Sequence, residues 1–342
     1  MSLSKYLVRR LIAIIPIVFG VMTLTFFLSR MMPGDPVIAL LQSQGIPHPN
    51  DAVIAAKRHE LGLDLHIILQ YFRYLGDLFT GNWGDSVSVA TGVSVLELIG
   101  RRLPRTIDLA LFSMIIASFV GIKVGVISAT NRNKAKDTIF RGIALVGVAF
   151  PIFFLGMLLQ FSLGYMVDIF PTVGIKSVQY PYPPTVTGFF LIDSILGGYF
   201  YLVGDYLQHL VLPVFCLSFV TLASIVRQSR SSMLEVLEQD YVRTARAKGC
   251  KEKDVINSHA LKNSLIPTVT VIGLNFASLL TGAVLTETTF GIYGIGLTLV
   301  DAIEKSDYWV LNGVVFVMAL IFVTTTLITD IAYGILDPRI RY

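Results

Sequence analysis

Ile143-Ala144-Leu145-Val146-Gly147-Val148-Ala149-Phe150-Pro151-Ile152-Phe153-Phe154-Leu155-Gly156-Met157-Leu158-Leu159-Gln160-Phe161-Ser162-Leu163-Gly164-Tyr165-Met166-Val167 runs for 25 residues without a charge. A bilayer core about 30 Å thick is crossed by about 20 apolar residues at 1.5 Å per residue. The stretch is therefore long enough to span. Five other runs accompany it. Leu11 to Leu28 is uncharged and flanked by Arg9, Arg10 and Arg30. Leu109 to Ala129 carries one charge, Lys123; Leu210 to Val226, Ser264 to Thr286 and Tyr308 to Thr329 carry none. Within lipid only structures that satisfy their own backbone polar groups survive, and runs of this length do so as helices. The pattern predicts an all-α integral membrane protein with six transmembrane helices.

Composition agrees. The 342 residues are 54% hydrophobic and 15% charged, against about 25% charged in a soluble domain, and the mean hydropathy is +0.70. An ordinary soluble enzyme and a disordered chain are both excluded. The first run resembles a signal peptide in position, but it is longer than a usual apolar signal core. It contains Pro16, and no small-residue cleavage site follows, so a retained helix is expected. The two cysteines, Cys216 and Cys250, form neither a disulfide framework nor a metal-ligand spacing.

With the N-terminus inside, six spans place seventeen Lys and Arg residues in the inside segments, eight of them between residues 227 and 263. The two short outside loops hold one each, Lys176 and Lys305. A seventh candidate, Val186 to Val203, carries Asp193 and Gly197-Gly198. Making it a span would throw the eight-charge loop outside, against the positive-inside rule. An amphipathic or re-entrant piece lying outside is expected instead. Both termini are then cytoplasmic. The chain divides into residues 1–30 (N-terminus and first span), 31–108 (a long extracytoplasmic segment) and 109–342 (a core with the remaining five spans and the inside loop 227–263). Leu96, Leu98, Ile99 and Leu103 predict a surface helix leading into the second span.

Motifs of several chemistries are missing. There is no G-x-x-x-x-G-K-[ST] phosphate loop, no H-E-x-x-H and no G-x-S-x-G. His48, His59, His66, His209 and His259 are scattered, as surface or helix-end histidines are. Lys123 lies six residues from the inside end of its run, within snorkelling reach of the interface. No catalytic, cofactor-binding or metal-binding residue is expected on this chain.

The inside loop is the informative segment. It contains Asp240-Tyr241-Val242-Arg243-Thr244-Ala245-Arg246-Ala247-Lys248-Gly249-Cys250, then Lys253-Asp254-Val255-Ile256 and His259-Ala260-Leu261-Lys262-Asn263-Ser264-Leu265-Ile266-Pro267. Val242 and Ala245 share a helical face, and Gly249 suits the C′ position that ends a helix. Ala245 and Gly249, four apart, allow another backbone to approach. Two readings stay open on composition: a solvated basic loop, or a small-faced helix that docks in a partner's groove.

This segment resembles the cytoplasmic E-A-A-x-x-x-G loop of ABC-importer permeases. Ala245 and Gly249 match strictly; Arg243 and Thr244 replace the Glu and first Ala. The form D-Y-V-R-T-A-R-A-K-G with H-A-L-K-N-S-L-I-P resembles the dipeptide/oligopeptide/nickel permease subfamily. So do Pro33-Gly34-Asp35-Pro36, Leu61-Gly62-Leu63-Asp64, Gln70-Tyr71, Gly81-Asn82-Trp83-Gly84-Asp85-Ser86, Leu103-Pro104-Arg105-Thr106, Glu287-Thr288-Thr289-Phe290 with Gly294-Ile295-Gly296, and Leu336-Asp337-Pro338-Arg339-Ile340-Arg341. Their order and spacing along nearly the whole chain are specific. Departures fall at His66, Lys123, Tyr293, Trp309 and Asn312.

The resemblance implies the type I ABC-importer permease fold in the plasma or inner membrane. The implied partners are a second homologous permease, two ATPase subunits that bind the ATP and Mg, and an extracytoplasmic substrate-binding protein. Lipid surrounds the chain; no nucleic acid is implied. Coupling to the ATPases is assigned to Asp240, Tyr241, Arg243, Thr244, Ala245, Arg246, Ala247, Lys248, Gly249, Lys253, Asp254 and Val255. The implied cargo is peptides, with nickel or oligosaccharides as alternatives. Gln160, Asn275 and Ser278 are polar groups in apolar runs, so they face either the passage or a neighbouring helix. Glu287 is placed with them. A secondary transporter would need intramembrane ionisable ligands, which these runs nearly lack. A channel or scaffold would leave the inside motif unexplained.

Overall fold

The computed structural model describes residues 3–31 and 34–336. Pro33 and the C-terminal motif from Asp337 onward lie outside the described residues. Among these residues the regular structure is helical, apart from one antiparallel bridge between Asp85 and Ser94.

The first span is α1 (Leu3–Met31). Thr23 and Thr25 donate back to the Phe19 and Val21 carbonyls at 2.7 and 2.8 Å. A cap of three short helices follows. In it α2 (Pro36–Ser43) starts with Pro at N1, and the Asp35 carboxylate accepts from the Val37 N–H. Asn50 caps α3 (Asp51–Glu60) in the same way. Helix α4 (Ile67–Thr80) ends at Gly81, whose φ of 77° fits a left-handed cap. Leu75 and Leu78 of α4 pack with Val18 and Met22 of α1, tying the cap to the first span.

Helix α5 (Val95–Thr130) is continuous for 36 residues. The expected surface helix and the second span are one helix. Then α6 (Ala135–Ala149) and α7 (Ile152–Leu159), which continues as a π-helical stretch Gln160–Met166, meet at a bend of 101°. The third run was expected to span as one helix, and this corrects that. The cause is local. Pro151 has no N–H to give, and its ring drives Phe150 into the extended region, at φ −81° and ψ 127°.

The ambiguous segment 186–203 forms no seventh span. It contains the short α8 (Phe190–Leu196), a turn at Gly197-Gly198, and the start of α9 (Phe200–Leu237). Helix α8 turns Asp193 and Ser194 inward and leaves Ile195 and Leu196 exposed. Helix α9 runs for 38 residues, through the fourth apolar run and on past its C-terminal end. Beyond it lie α10 (Asp240–Ala247), α11 (Glu252–Asp254), a π-helical stretch Val255–Ala260, and α12 (Leu261–Gly282). The last elements are α13 (Val284–Thr289), α14 (Ile295–Glu304) and α15 (Tyr308–Leu336). Among the described residues five helices are long and apolar enough to cross a membrane, and six if the bent pair is counted as one span.

Helices α5 and α9 form the central pair. A Cβ on Gly121 would stand 2.8 Å from Ile225 Cγ2, and one on Gly125 2.7 Å from Ser229 Cβ. Only glycine allows that approach, the means by which helices associate where lipid removes the hydrophobic drive. Helix α12 packs on both α9 and α15. The buried Asp307 gathers the loop before α5. Its Oδ2 accepts from Ser86 Oγ at 2.7 Å and from the N–H groups of Val87, Ser88 and Val89 at 2.9, 3.0 and 3.1 Å.

Candidate functional site

The basic segment 227–263, expected inside, is a built structure. Helix α10 lays Val242 and Ala245, 0% and 6% exposed, onto Met233 of α9, Val255, Ala260 and Ala129 of α5. The small face that suggested a partner's groove is therefore occupied by this chain's own side chains. Ala245 is small because α10 sits close to its base. The helix then closes as the sequence predicts. Cys250 N–H donates to the Ala245 carbonyl at 3.2 Å and Gly249 N–H to that of Arg246 at 3.0 Å, with Gly249 at φ 77° and open space around it. This is the Schellman arrangement, which satisfies carbonyls left over at a helix end.

The opposite face is solvent-exposed. It presents Asp240, Tyr241, Arg243, Thr244, Arg246, Ala247, Lys248 and Gly249, with Lys253 and Asp254 following; Val255 is buried behind them. Arg246 donates through Nη2 to Glu252 Oε1 at 2.8 Å, and that bond holds its guanidinium above the ordinary value. Asn263 donates to Tyr241 Oη at 2.8 Å and so fastens α10 to α12. Twelve residues assigned to coupling thus divide by role: Val242's neighbours Ala245 and Val255 anchor, and the rest face outward.

Two residues that sequence reasoning missed brace this platform. Asp137, wholly buried, accepts from Nε and Nη2 of Arg230 at 2.8 and 2.9 Å, from Ser128 Oγ at 2.6 Å and from the Asn133 N–H at 3.0 Å. Four segments of chain meet on one carboxylate. Arg230 was legible only as one of eight basic residues; an acid and a base lying 93 positions apart give no local signal.

The polar residues proposed for the passage are mostly engaged. Gln160 donates to the carbonyls of Thr172 and Thr289 at 2.7 and 3.0 Å, which ties the π-helical stretch to α13. Asn275 donates to Ser224 Oγ at 2.8 Å, between α12 and α9. Glu287 is 0% exposed and accepts from Thr106 Oγ1 at 2.6 Å and the Leu297 N–H at 2.8 Å, fixing the turn into α14. Burial pushes its carboxyl above the ordinary range. Ser278 alone of the four stands exposed. No group of three or more His, Cys, Asp or Glu that could hold a metal exists among the described residues.

Residues 3–110 match the family described as binding-protein-dependent transport system membrane component, N-terminal, and residues 121–342 match the binding-protein-dependent transport system inner membrane component. The chain belongs to that family of inner membrane components. Among relatives of this inner membrane component, the dipeptide transport system permease protein DppB of Alkalihalophilus pseudofirmus is 40% identical over 98% of this chain and 99% of its own length. That of Escherichia coli K12 is 40% identical over 99% of both. The di/tripeptide permease of Pseudomonas aeruginosa is similar to the same degree. In fold it is similar to a chain of the inward-facing MetNI methionine ABC transporter. The TM-score is 0.54 and the identity 14%, over 70% of this chain and 96% of that one. That likeness carries the expected permease fold.

Proposed function

We propose that this inner membrane component is one of two transmembrane subunits of an ATP-driven importer, and forms half of the passage for di- and oligopeptides handed over by an extracytoplasmic binding protein. The observation that carries this reading is the near-full-length identity to dipeptide permeases. ATP would be bound and hydrolysed on partner subunits inside.

In this reading the exposed face of α10, with Arg243 and Lys253, is what the ATPase subunits grip. The buried face makes α10, the π-helical stretch and the inside end of α9 move together. A ligand shifts a two-state element only by its differential affinity for the two states. Here that difference lies in how tightly ATP closes the partner pair, and this chain converts closure into helix movement.

The experiment is reconstitution of the chain with its second permease, ATPases and binding protein in proteoliposomes. ATP-dependent accumulation of a labelled dipeptide is expected, and the Arg243→Glu/Lys253→Glu variant should lose ATPase copurification and uptake together. Accumulation of nickel or an oligosaccharide but no peptide would overturn the cargo. Normal copurification and uptake in that variant would overturn the coupling face.

A further inference from the structure

A cavity of about 260 Å³ lies between the cap and the ends of α1 and α15 that adjoin it. Both tryptophans of the chain, Trp83 and Trp309, line it, with Tyr74 and Tyr308. Aromatic walls with a few polar groups are what a small-molecule site has, and such sites start near about 300 Å³. Part of the polar lining is engaged: Trp83 Nε1 donates to the Leu78 carbonyl at 3.0 Å, Gln70 Nε2 to that of Leu63 at 3.0 Å and Tyr308 Oη to that of Gly34 at 3.2 Å. Tyr74 Oη and Asn312 Oδ1 are buried without a hydrogen-bond partner, where nearly all buried polar atoms have one. Arg73 and Asp77 lie one turn apart on α4 and both line the cavity, yet neither takes part in an ion pair among the described residues. Arg30 adds a second guanidinium from the end of α1.

The backbone makes room for this set. Gly62, at φ +68°, carries no side chain where a Cβ would collide with the Arg73 guanidinium. Gly84, at φ +73°, does the same beneath the Trp309 indole. Trp309 and Asn312 are two of the positions at which this chain departs from the subfamily pattern, while Gly62, Gln70, Trp83 and Gly84 of the same lining belong to its motifs.

We propose that this cavity binds a small zwitterion, an anionic carboxylate or phosphate a few ångströms from an ammonium group. The guanidinium forks of Arg73 and Arg30, with the Tyr74 hydroxyl, take the anion. Asp77, the Asn312 carbonyl and the indole faces take the ammonium. The source is either a free short peptide outside or the headgroup of a phosphatidylethanolamine in the outer leaflet. The site stands whether or not the transported cargo is a peptide.

Because Trp83 and Trp309 are the chain's two tryptophans, intrinsic emission of the full-length chain reads this cavity directly. In phosphatidylglycerol liposomes, glycylglycine should shift the emission saturably. Acetylglycine and glycinamide, each lacking one charge, should need at least about tenfold more. Arg73→Gln, on an exposed position, and the isosteric Asp77→Asn should each weaken the response by a similar factor with helical content unchanged. If the lipid is the source, phosphatidylethanolamine liposomes shift the emission without any probe, and the same two variants remove that shift. No response to either ligand, or responses that survive both substitutions, would leave the cavity to water and overturn the proposal.

Discussion

Arg230, near the C-terminal end of α9, clasps Asp137 at the start of α6 through two parallel bonds of 2.8 and 2.9 Å, and the acid is wholly buried while the base is about one-fifth exposed. The pair ties the bent helix pair α6–α7 to the helix that leads into α10. Removing one partner of a buried pair leaves the other charge uncompensated, a loss of about 3–5 kcal/mol. Arg230→Ala should therefore lower the unfolding free energy of the purified chain by that order, and Arg230→Lys should recover part of it. Thermal unfolding in detergent measures this, and an Arg230→Ala protein as stable as the parent would remove the brace.

Ala245 and Gly249 should fail in different ways. A Trp at 245 overpacks the contact with Met233, Val255 and Ala260, at a cost of about 1–3 kcal/mol. It should lift α10 off its base and abolish dipeptide uptake. Gly249→Ala meets no neighbour and suffers only the left-handed backbone, about 1 kcal/mol. Uptake should persist in part, with ATPase copurification retained. Equal losses in both variants would show that Gly249 is a contact and not only a helix stop.

His59 and Asp64, in the cap, are joined Nδ1 to Oδ2 at 2.6 Å. The hydrogen bond to Asp64 raises the imidazole above its ordinary value of 6.5 and the one to His59 lowers the carboxyl below 3.8. The histidine's contribution is complete below about 6.5 and is lost as pH rises through the raised folded value. The aspartate's contribution is complete above about 3.8 and is lost as pH falls through the lowered one. An NMR titration of labelled histidine should give His59 a midpoint above 6.5 that falls toward 6.5 in Asp64→Asn. An unchanged midpoint would contradict the pair.

Asp307 should control the loop it gathers. Asp307→Ala strands the Ser86 hydroxyl and three N–H groups together. Hydrogen bonds to a charged acceptor contribute about 1.5–3 kcal/mol each, so the loop at 86–89 should become cleavable by protease added from outside. Asp307→Asn, which keeps one acceptor oxygen, should be cut more slowly. Protection equal to the parent in Asp307→Ala would show that the loop is held by other contacts.

The spans were legible because lipid imposes one rule on every residue in a run, and run length alone then counts helices. The bend at Phe150-Pro151 was harder to read: Pro16, Pro104, Pro213 and Pro267 sit inside continuous helices, so a proline announces a break only where packing does not restore the helix. The Gly249 stop was local chemistry and appeared in the sequence as such. The inward turn of Ala245 was not legible, because small residues suit a close approach whether the neighbour is the same chain or another. Asn275 and Gln160 found partners 51 and 129 residues away, and Glu287 one 181 residues away; spacing within a helix carries no trace of such pairings.

Helix α9 has a mechanical consequence. Its 38 residues amount to about 57 Å at 1.5 Å per residue, nearly twice the hydrocarbon thickness. It is a shaft long enough to protrude from both faces of a bilayer. Rocking it by about 5° around its middle carries each tip through about 2.5 Å. A displacement applied beside Met233 is thus delivered beside Phe200 in the opposite direction, with the bilayer as fulcrum and without any relay of side chains between them.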